Sequence, residues 1–231
     1  MAVFVIKSII DLVFLGTQWK YTCDFIKIRI GVIVDKIVLA SASPRRQQLL
    51  SQIGMDFEVV VSGIEEVMED TLGPAQAAMS LAAQKCTGVA LQMKKDCIVI
   101  GADTIVVKDN RLLGKPQDRD EALEMLSYLN GAWHEVITGM CLYRTGSGRT
   151  IKDYEVTRVK IAKNTPKFLE EYAATGEPLD KAGAYGIQGF GSLIVERVEG
   201  CYFNVMGLPL YKLSKMLQEI GYNIKLKNPD R

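Results

Sequence analysis

The sequence predicts an α/β fold, and three observations carry that prediction. Ile37-Val38-Leu39-Ala40 reads as a buried strand that runs straight into a helix start at Ser43-Pro44. An alanine-rich helical stripe opened by Pro74 precedes the apolar run Ile98-Val99-Ile100, so a long helix feeds a central strand. Two long β segments, near Val136–Tyr143 and Tyr154–Ala162, are joined by the turn residues Gly146-Ser147-Gly148. The 231 residues suffice for one large α/β domain or two small ones, and a hydrophobic content of 48% suits a well-buried core.

Residues 1–35 stand outside this pattern. The apolar stretch Ala2–Leu15 is interrupted by Lys7 and Asp11, and its unbroken runs are too short to span a bilayer. It lacks the continuous apolar core and small-residue cleavage site of a signal peptide. We read it as an N-terminal extension of the gene model, with translation beginning at a non-AUG codon near Val32 or Val34. An intact-mass measurement of the native protein tests that reading.

From Ile37 onward each element has a local cause. Pro44 suits the first helical position, Leu49, Leu50 and Ile53 follow at helical spacing, and Gly54 ends the run. Ser43 is the expected N-cap. A strand at Phe57–Val61 follows. The helix from Pro74 is expected to turn Ala75, Ala78, Met79, Ala82, Ala83, Cys86, Val89, Ala90 and Met93 inward, with Lys85 at the stripe's edge. Cys97–Val107 then reads as the central strand, its polar residues at or beyond one end. Asp109-Asn110 marks a turn, and Asp118 with Glu121 has capping-box spacing for a helix that stops at Gly131. Thr165-Pro166 opens another helix, ending near Gly176. Residues 176–191 are glycine-rich and carry Lys181, Tyr185 and Gln188, which marks a functional loop open to close backbone approach. A last strand near Leu193–Arg197, a helix from about Leu208 to Gly221 and a polar tail complete the chain.

Composition excludes several function classes. A net charge of +1 with 24% charged residues offers no basic surface for nucleic acid. The five cysteines are scattered without a C-x-x-C pair, as expected of reduced thiols in a cytosolic protein. A single histidine, His134, argues against zinc chemistry and a Ser-His-Asp triad, and its place in an apolar strand suits a structural role. Gly114-Lys115-Pro116 is not a P-loop, because proline stands where a metal-binding Ser/Thr would be needed. The glycines at 186–191 do not open a helix after a strand, so a dinucleotide fold is excluded.

The remaining chemistry points to phosphate. The junction before Pro44 offers backbone N–H groups, a positive helix end, the hydroxyls of Ser41 and Ser43, and the guanidinium groups of Arg45 and Arg46. Lys85 and Lys115 add cations. Glu66 and Asp103 are two carboxylates able to hold Mg²⁺ or Mn²⁺, which favour oxygen ligands. Gln188 can donate and accept together, as a base edge requires and a phosphate does not. The set describes a nucleoside triphosphate with a divalent metal.

Five motifs in order make the resemblance specific: Leu39-Ala40-Ser41-Ala42-Ser43-Pro44-Arg45-Arg46, Gly101-Ala102-Asp103-Thr104, Gly114-Lys115-Pro116, the stretch from Gly176 to Gly189, and Gly207-Leu208-Pro209-Leu210. Over residues 36–222 the chain resembles the Maf family of nucleotide pyrophosphatases. The resemblance implies an elongated mixed β-sheet flanked by helices with a cleft between two lobes, a homodimer, a cytoplasmic location, and metal-dependent hydrolysis of a nucleoside triphosphate to monophosphate and pyrophosphate. It makes Asp103 the proton acceptor and assigns Glu66, Lys85 and Lys115 to metal and phosphate handling. Arg45, Thr104 and Gln188 match the branch acting on dTTP and UTP. The sister branch, acting on 7-methyl-GTP, carries Trp, Gln and Glu at those places. A nucleotide-sensing regulator of septum formation is the alternative that the same resemblance raises.

Overall fold

The computed structural model describes residues 36–69 and 71–225. The extension assigned to residues 1–35 and the end of the tail, 226–231, lie outside the described residues. Within them the expected α/β architecture is present, as a seven-stranded mixed sheet with helices on both faces.

Strand β1 (Lys36–Leu39) leads into helix α1 (Pro44–Gln52), which buries Leu49 and Leu50 completely. Each such leucine contributes about 1.5–3 kcal/mol of apolar burial. Ser43 holds the extended cap position before Pro44, but its hydroxyl makes no capping bond, contrary to expectation. Its own N–H donates instead to Ser41 Oγ at 3.3 Å. Strand β2 (Phe57–Val59) is shorter than expected, and helix α2 (Pro74–Ala90) follows.

The buried face of α2 differs from the expected stripe. Ala77, Ala78, Leu81, Ala82, Cys86, Val89 and Ala90 are buried, whereas Ala75, Met79, Ala83 and Met93 are only half-buried. The reason lies on the sheet. A Cβ added at Gly101 would stand 2.3 Å from the Ala82 carbonyl oxygen, and one at Gly139 would stand 2.3 Å from the Ala78 carbonyl carbon. Two glycines therefore admit the small-residue face of α2 against the strands, and that face sets the helix rotation.

Strand β3 (Cys97–Lys108) is the backbone of the sheet. Asp109 and Asn110 turn it at positive φ, 49° and 61°, into β4 (Arg111–Leu113). Asn and Asp tolerate this left-handed backbone better than most residues. Helix α3 (Arg119–Leu129) begins as expected, with Glu121 N–H donating to Asp118 Oδ1 at 2.9 Å. Strands β5 (Trp133–Arg144) and β6 (Arg149–Ile161) form a long hairpin, and helix α4 (Pro166–Ala174) is capped by Thr165. Residues 177–193 form three short 3₁₀ turns. Strand β7 (Val195–Glu199), the short helix α5 (Tyr202–Val205) and helix α6 (Leu210–Glu219) follow.

Strand order is β2-β1-β3-β5-β6-β7, with β4 beside β3. The pairs β1–β2 and β1–β3 are parallel, and the pairs along β3–β5–β6–β7 and β3–β4 are antiparallel. One face carries two separate apolar cores. Leu49, Leu50, Ile98, Ile100, Leu213 and Leu217 belong to the first, and Val106, Leu126, Leu129, Val136, Leu169 and Ile194 to the second. The expected two lobes correspond to these two cores, strung along one sheet.

Candidate active site

The site sits where an edge of β3 loses its neighbour. Pairing with β1 ends at Leu39 opposite Ile100, and pairing with β4 begins only at Val106. Between them β1 departs into α1, leaving residues 101–105 of β3 open on that side. The central strand continues past Ile100 because β5 pairs with it throughout, from Ile98 to Val107. Asp103 therefore lies inside a long strand, not at its end as the apolar run suggested.

Successive side chains on a strand point to opposite faces. Asp103 points toward α2 and Thr104 toward the two-core face, and a cleft at the open edge reaches both. That cleft has a volume of about 420 Å³ and is lined by all ten residues expected from sequence: Ser41, Ser43, Arg45, Arg46, Glu66, Lys85, Asp103, Thr104, Lys115 and Gln188.

On the α2 side, Lys85 forms ion pairs with both carboxylates, to Glu66 Oε2 at 3.1 Å and to Asp103 Oδ1. Lys85 and Asp103 are mostly buried, with side chains 16% and 15% exposed, while Glu66 is 40% exposed. The two carboxylates thus converge on one point beside the cleft. Among the described residues no group of three or more His, Cys, Asp and Glu side chains is placed to hold a metal. Two carboxylates alone suit an ion that keeps its waters and takes phosphate oxygens as further ligands, which is the habit of Mg²⁺.

On the other face Arg46 is a buried strut. Its Nε donates to the Gly207 carbonyl at 2.8 Å, Nη1 to Ser41 Oγ at 3.0 Å and Nη2 to Thr104 Oγ1 at 3.1 Å. Burial pulls its guanidinium below the ordinary value, with Arg45 adding to the effect and Asp103 and Glu66 opposing it. Three of its five N–H groups are thereby committed to the protein. The uncapped start of α1 adds backbone donors beside it, a setting that favours an anion.

Arg45 behaves differently and reaches across the cleft. Nη1 pairs with Asp180 Oδ2 at 2.8 Å, and Nη2 donates to the Asp180 carbonyl at 3.3 Å. Lys181 Nζ meets the same carboxylate, at 2.6 Å to Oδ1. Burial pushes the Asp180 carboxyl up, but the hydrogen bonds from Lys181 and Arg45 outweigh it and hold it below the ordinary carboxylate value. Lys115 and Gln188 complete the lining, Lys115 exposed and Gln188 half-buried.

Sequence reading missed Asp180 and Glu177. Glu177 accepts from Tyr172 Oη at 3.0 Å and from the N–H groups of Phe190 and Gly191 at 2.9 Å each, so it pins the loop that carries Gln188. The available signal was two acidic residues within a glycine-rich loop, each without an obvious helix to cap. Also missed were Thr138 and Asn204, both fully buried behind Thr104. His134 is structural as expected: it is buried, with Nε2 2.6 Å from Tyr185 Oη. Cys86, Cys97, Cys141 and Cys201 are free thiols, and Cys23 lies outside the described residues. Among the described residues no helix is long and apolar enough to cross a membrane.

Comparison with known proteins agrees with this geometry. Residues 36–220, the stretch that builds the cleft, match the family described as Maf-like protein. The dTTP/UTP pyrophosphatase of Acetivibrio thermocellus is 50% identical over 198 residues, covering 83% of this chain and 98% of that protein. Its counterpart from Thermoanaerobacter sp. (strain X514) is 51% identical over 183 residues, covering 79% and 95%. That of Clostridium botulinum (strain Okra / Type B1) is 45% identical over 196 residues, covering 83% and 100%. With the five motifs gathered around one cleft and the match spanning nearly every described residue, the chain belongs to the Maf family.

Proposed function

We propose that this protein hydrolyses dTTP and UTP to the nucleoside monophosphate and pyrophosphate, clearing surplus or modified pyrimidine nucleotides. The observation that carries the reading is the cleft at the open edge of β3, lined by a carboxylate pair, cations from α1, α2 and two loops, an uncapped helix start, the Thr104 hydroxyl and the Gln188 amide. The charged groups suit a triphosphate, and the hydroxyl and the amide suit the edge of a base.

Position supports the following working roles. Asp103 orients a water and takes its proton as the water oxygen attacks the α-phosphorus. The bond from that phosphorus to the bridging oxygen breaks, and pyrophosphate leaves with the electron pair. Lys85 holds Asp103 in place through their ion pair. Arg46, Lys115 and the start of α1, with Ser41 and Ser43, balance the charge that develops on the departing pyrophosphate. Glu66 and Asp103 would hold a divalent ion, Mg²⁺ or Mn²⁺, which when bound neutralises phosphate oxygens. Base choice belongs to Arg45, Thr104 and Gln188, the amide of Gln188 donating to a pyrimidine carbonyl. The family resemblance extends the proposal to a cytoplasmic homodimer.

Pyrophosphate release from UTP and dTTP tests the reading, with Asp103→Asn as control. That change is isosteric and removes only the charge, so the fold should persist and turnover should fall by about 10²–10⁴-fold. Turnover near wild type would remove Asp103 from the mechanism.

A further inference from the structure

Behind Thr104 lies a chain of hydroxyls that decides which way its hydrogen points. Thr104 Oγ1 is 2.9 Å from Thr138 Oγ1, and Thr138 Oγ1 is 3.0 Å from the backbone carbonyl oxygen of Asn204. A carbonyl oxygen has no hydrogen to give, so the second contact requires the Thr138 hydrogen. Thr138 then has none left for Thr104, and the first contact requires the hydrogen of Thr104. Two contacts and two hydrogens admit one fully satisfied arrangement. Any other leaves two oxygens facing each other across lone pairs, in a place where Thr138 and Asn204 are 0% exposed.

The far end of the chain is fixed. Asn204 Nδ2 donates to the Val136 carbonyl and to Thr157 Oγ1, each at 2.9 Å, and Thr157 Oγ1 in turn donates to the Cys201 carbonyl at 3.1 Å. The Asn204 carbonyl is further anchored by the Gly207 N–H at 2.9 Å. At the near end, Arg46 Nη2 donates to Thr104 Oγ1 and occupies one lone pair. The Thr104 hydroxyl has then given its hydrogen inward and kept a single acceptor lone pair for the cleft.

We propose that Thr138 is a positioning residue for base selection, locking the Thr104 hydroxyl as a hydrogen-bond acceptor. This inference rests on the pyrimidine-nucleotide reading above. Uracil and thymine carry an N3–H donor at the centre of the pairing edge, whereas cytosine carries a bare N3 acceptor there. An acceptor that cannot turn into a donor takes the first and repels the second. A freely rotating hydroxyl would accept either, so the selectivity lies in the polarity that the core imposes, and Thr138 is the residue that transmits it.

The test compares wild type, Thr138→Val and Thr138→Ser on UTP and CTP by pyrophosphate release at saturating Mg²⁺. Valine keeps the shape of threonine but removes the acceptor, so the Thr104 hydroxyl is free to turn and can donate into the cleft as well as accept. Catalytic efficiency on CTP should rise relative to UTP by about 10-fold or more, because the freed hydroxyl can serve either base. The UTP-to-CTP preference should shrink accordingly, and serine should restore it. A general disturbance of the fold lowers both nucleotides together, so an equal fall, or an unchanged preference, overturns the proposal. If the valine protein does not melt cooperatively, Thr138→Ala takes its place and the same ratio decides. In a Thr104→Val background, Thr138→Val should leave the ratio unaltered, and a further change there would also overturn the proposal. Wild-type protein that releases no pyrophosphate from UTP contradicts the activity itself, and does so before any variant is made.

Discussion

At the residue scale, the site depends on groups whose chemistry is set by their neighbours. Gln188 supplies an amide that both donates and accepts, whereas an ionised glutamate only accepts. Gln188→Glu would therefore leave a pyrimidine carbonyl facing a carboxylate, at a cost of roughly 1–3 kcal/mol. Catalytic efficiency on UTP and dTTP should fall about 10-fold or more, without a matching fall on GTP or 7-methyl-GTP. An equal fall on all four would move base recognition away from Gln188. His134 makes a prediction of a different kind. Burial, with a smaller contribution from the Lys108 charge, lowers its pKa from the ordinary 6.5 to about 4. Its Nδ1 is buried without a partner among the described residues, so a protonated ring would carry an unsatisfied N–H. Below 6.5 the unfolded chain binds this proton and the folded protein does not. Stability is thus fully present above about pH 6.5 and is lost as pH falls toward 4, by roughly 3 kcal/mol in all. Denaturant titrations of wild type and His134→Phe across that window should differ in slope by about one proton. Parallel curves would mean that His134 titrates normally in the fold.

At the element scale, two glycines bring Lys85 beside Asp103. Helix α2 carries Lys85 and strand β3 carries Asp103, and their ion pair needs the helix close to the sheet. Gly101 and Gly139 permit that approach, since a Cβ at either would fall 2.3 Å from α2 backbone atoms. Backbone cannot rotate away as a side chain can, so Gly139→Ala must push the helix outward. Overpacking of this kind costs about 1–3 kcal/mol or more. The variant should melt several degrees lower and also lose activity, because Lys85 moves with the helix. Unchanged melting and turnover would show that the interface has slack the distances deny. The same glycines explain why the inward stripe of α2 was misread. Hydrophobicity alone favours Met79 and Met93, but a helix lying on glycine presents its smallest residues.

At the scale of the whole molecule, most of the fold and many of the polar groups lining the cleft were legible in the chain. Helix starts at Pro44, Pro74, Asp118 and Thr165 follow from local stereochemistry, which needs no knowledge of the rest. The ten expected site residues carry charge or amide and hydroxyl groups in motifs too dense to be surface decoration, and the cleft gathers all of them. What stayed hidden depends on contacts distant in sequence. Thr138 sits in an apolar strand where a threonine reads as a β-former, and only its contact with the Asn204 carbonyl, 66 residues away, reveals another part. Asp180 likewise becomes informative only when Arg45 reaches it from 135 residues away. Asp103 lies within β3 and not at its end because β5 carries the strand onward past Ile100, where the apolar run ends and β1 stops pairing.

On the proposed function, one cleft reads both a triphosphate end and a pyrimidine end. That function is tested most directly by ranking wild-type kcat/KM for pyrophosphate release from UTP, dTTP, CTP, GTP and 7-methyl-GTP at saturating Mg²⁺. UTP and dTTP should rank above every other nucleotide by about 10-fold or more, the value of one well-made polar contact. A purine nucleotide ranked at or above UTP, or release of inorganic phosphate in place of pyrophosphate, would contradict it.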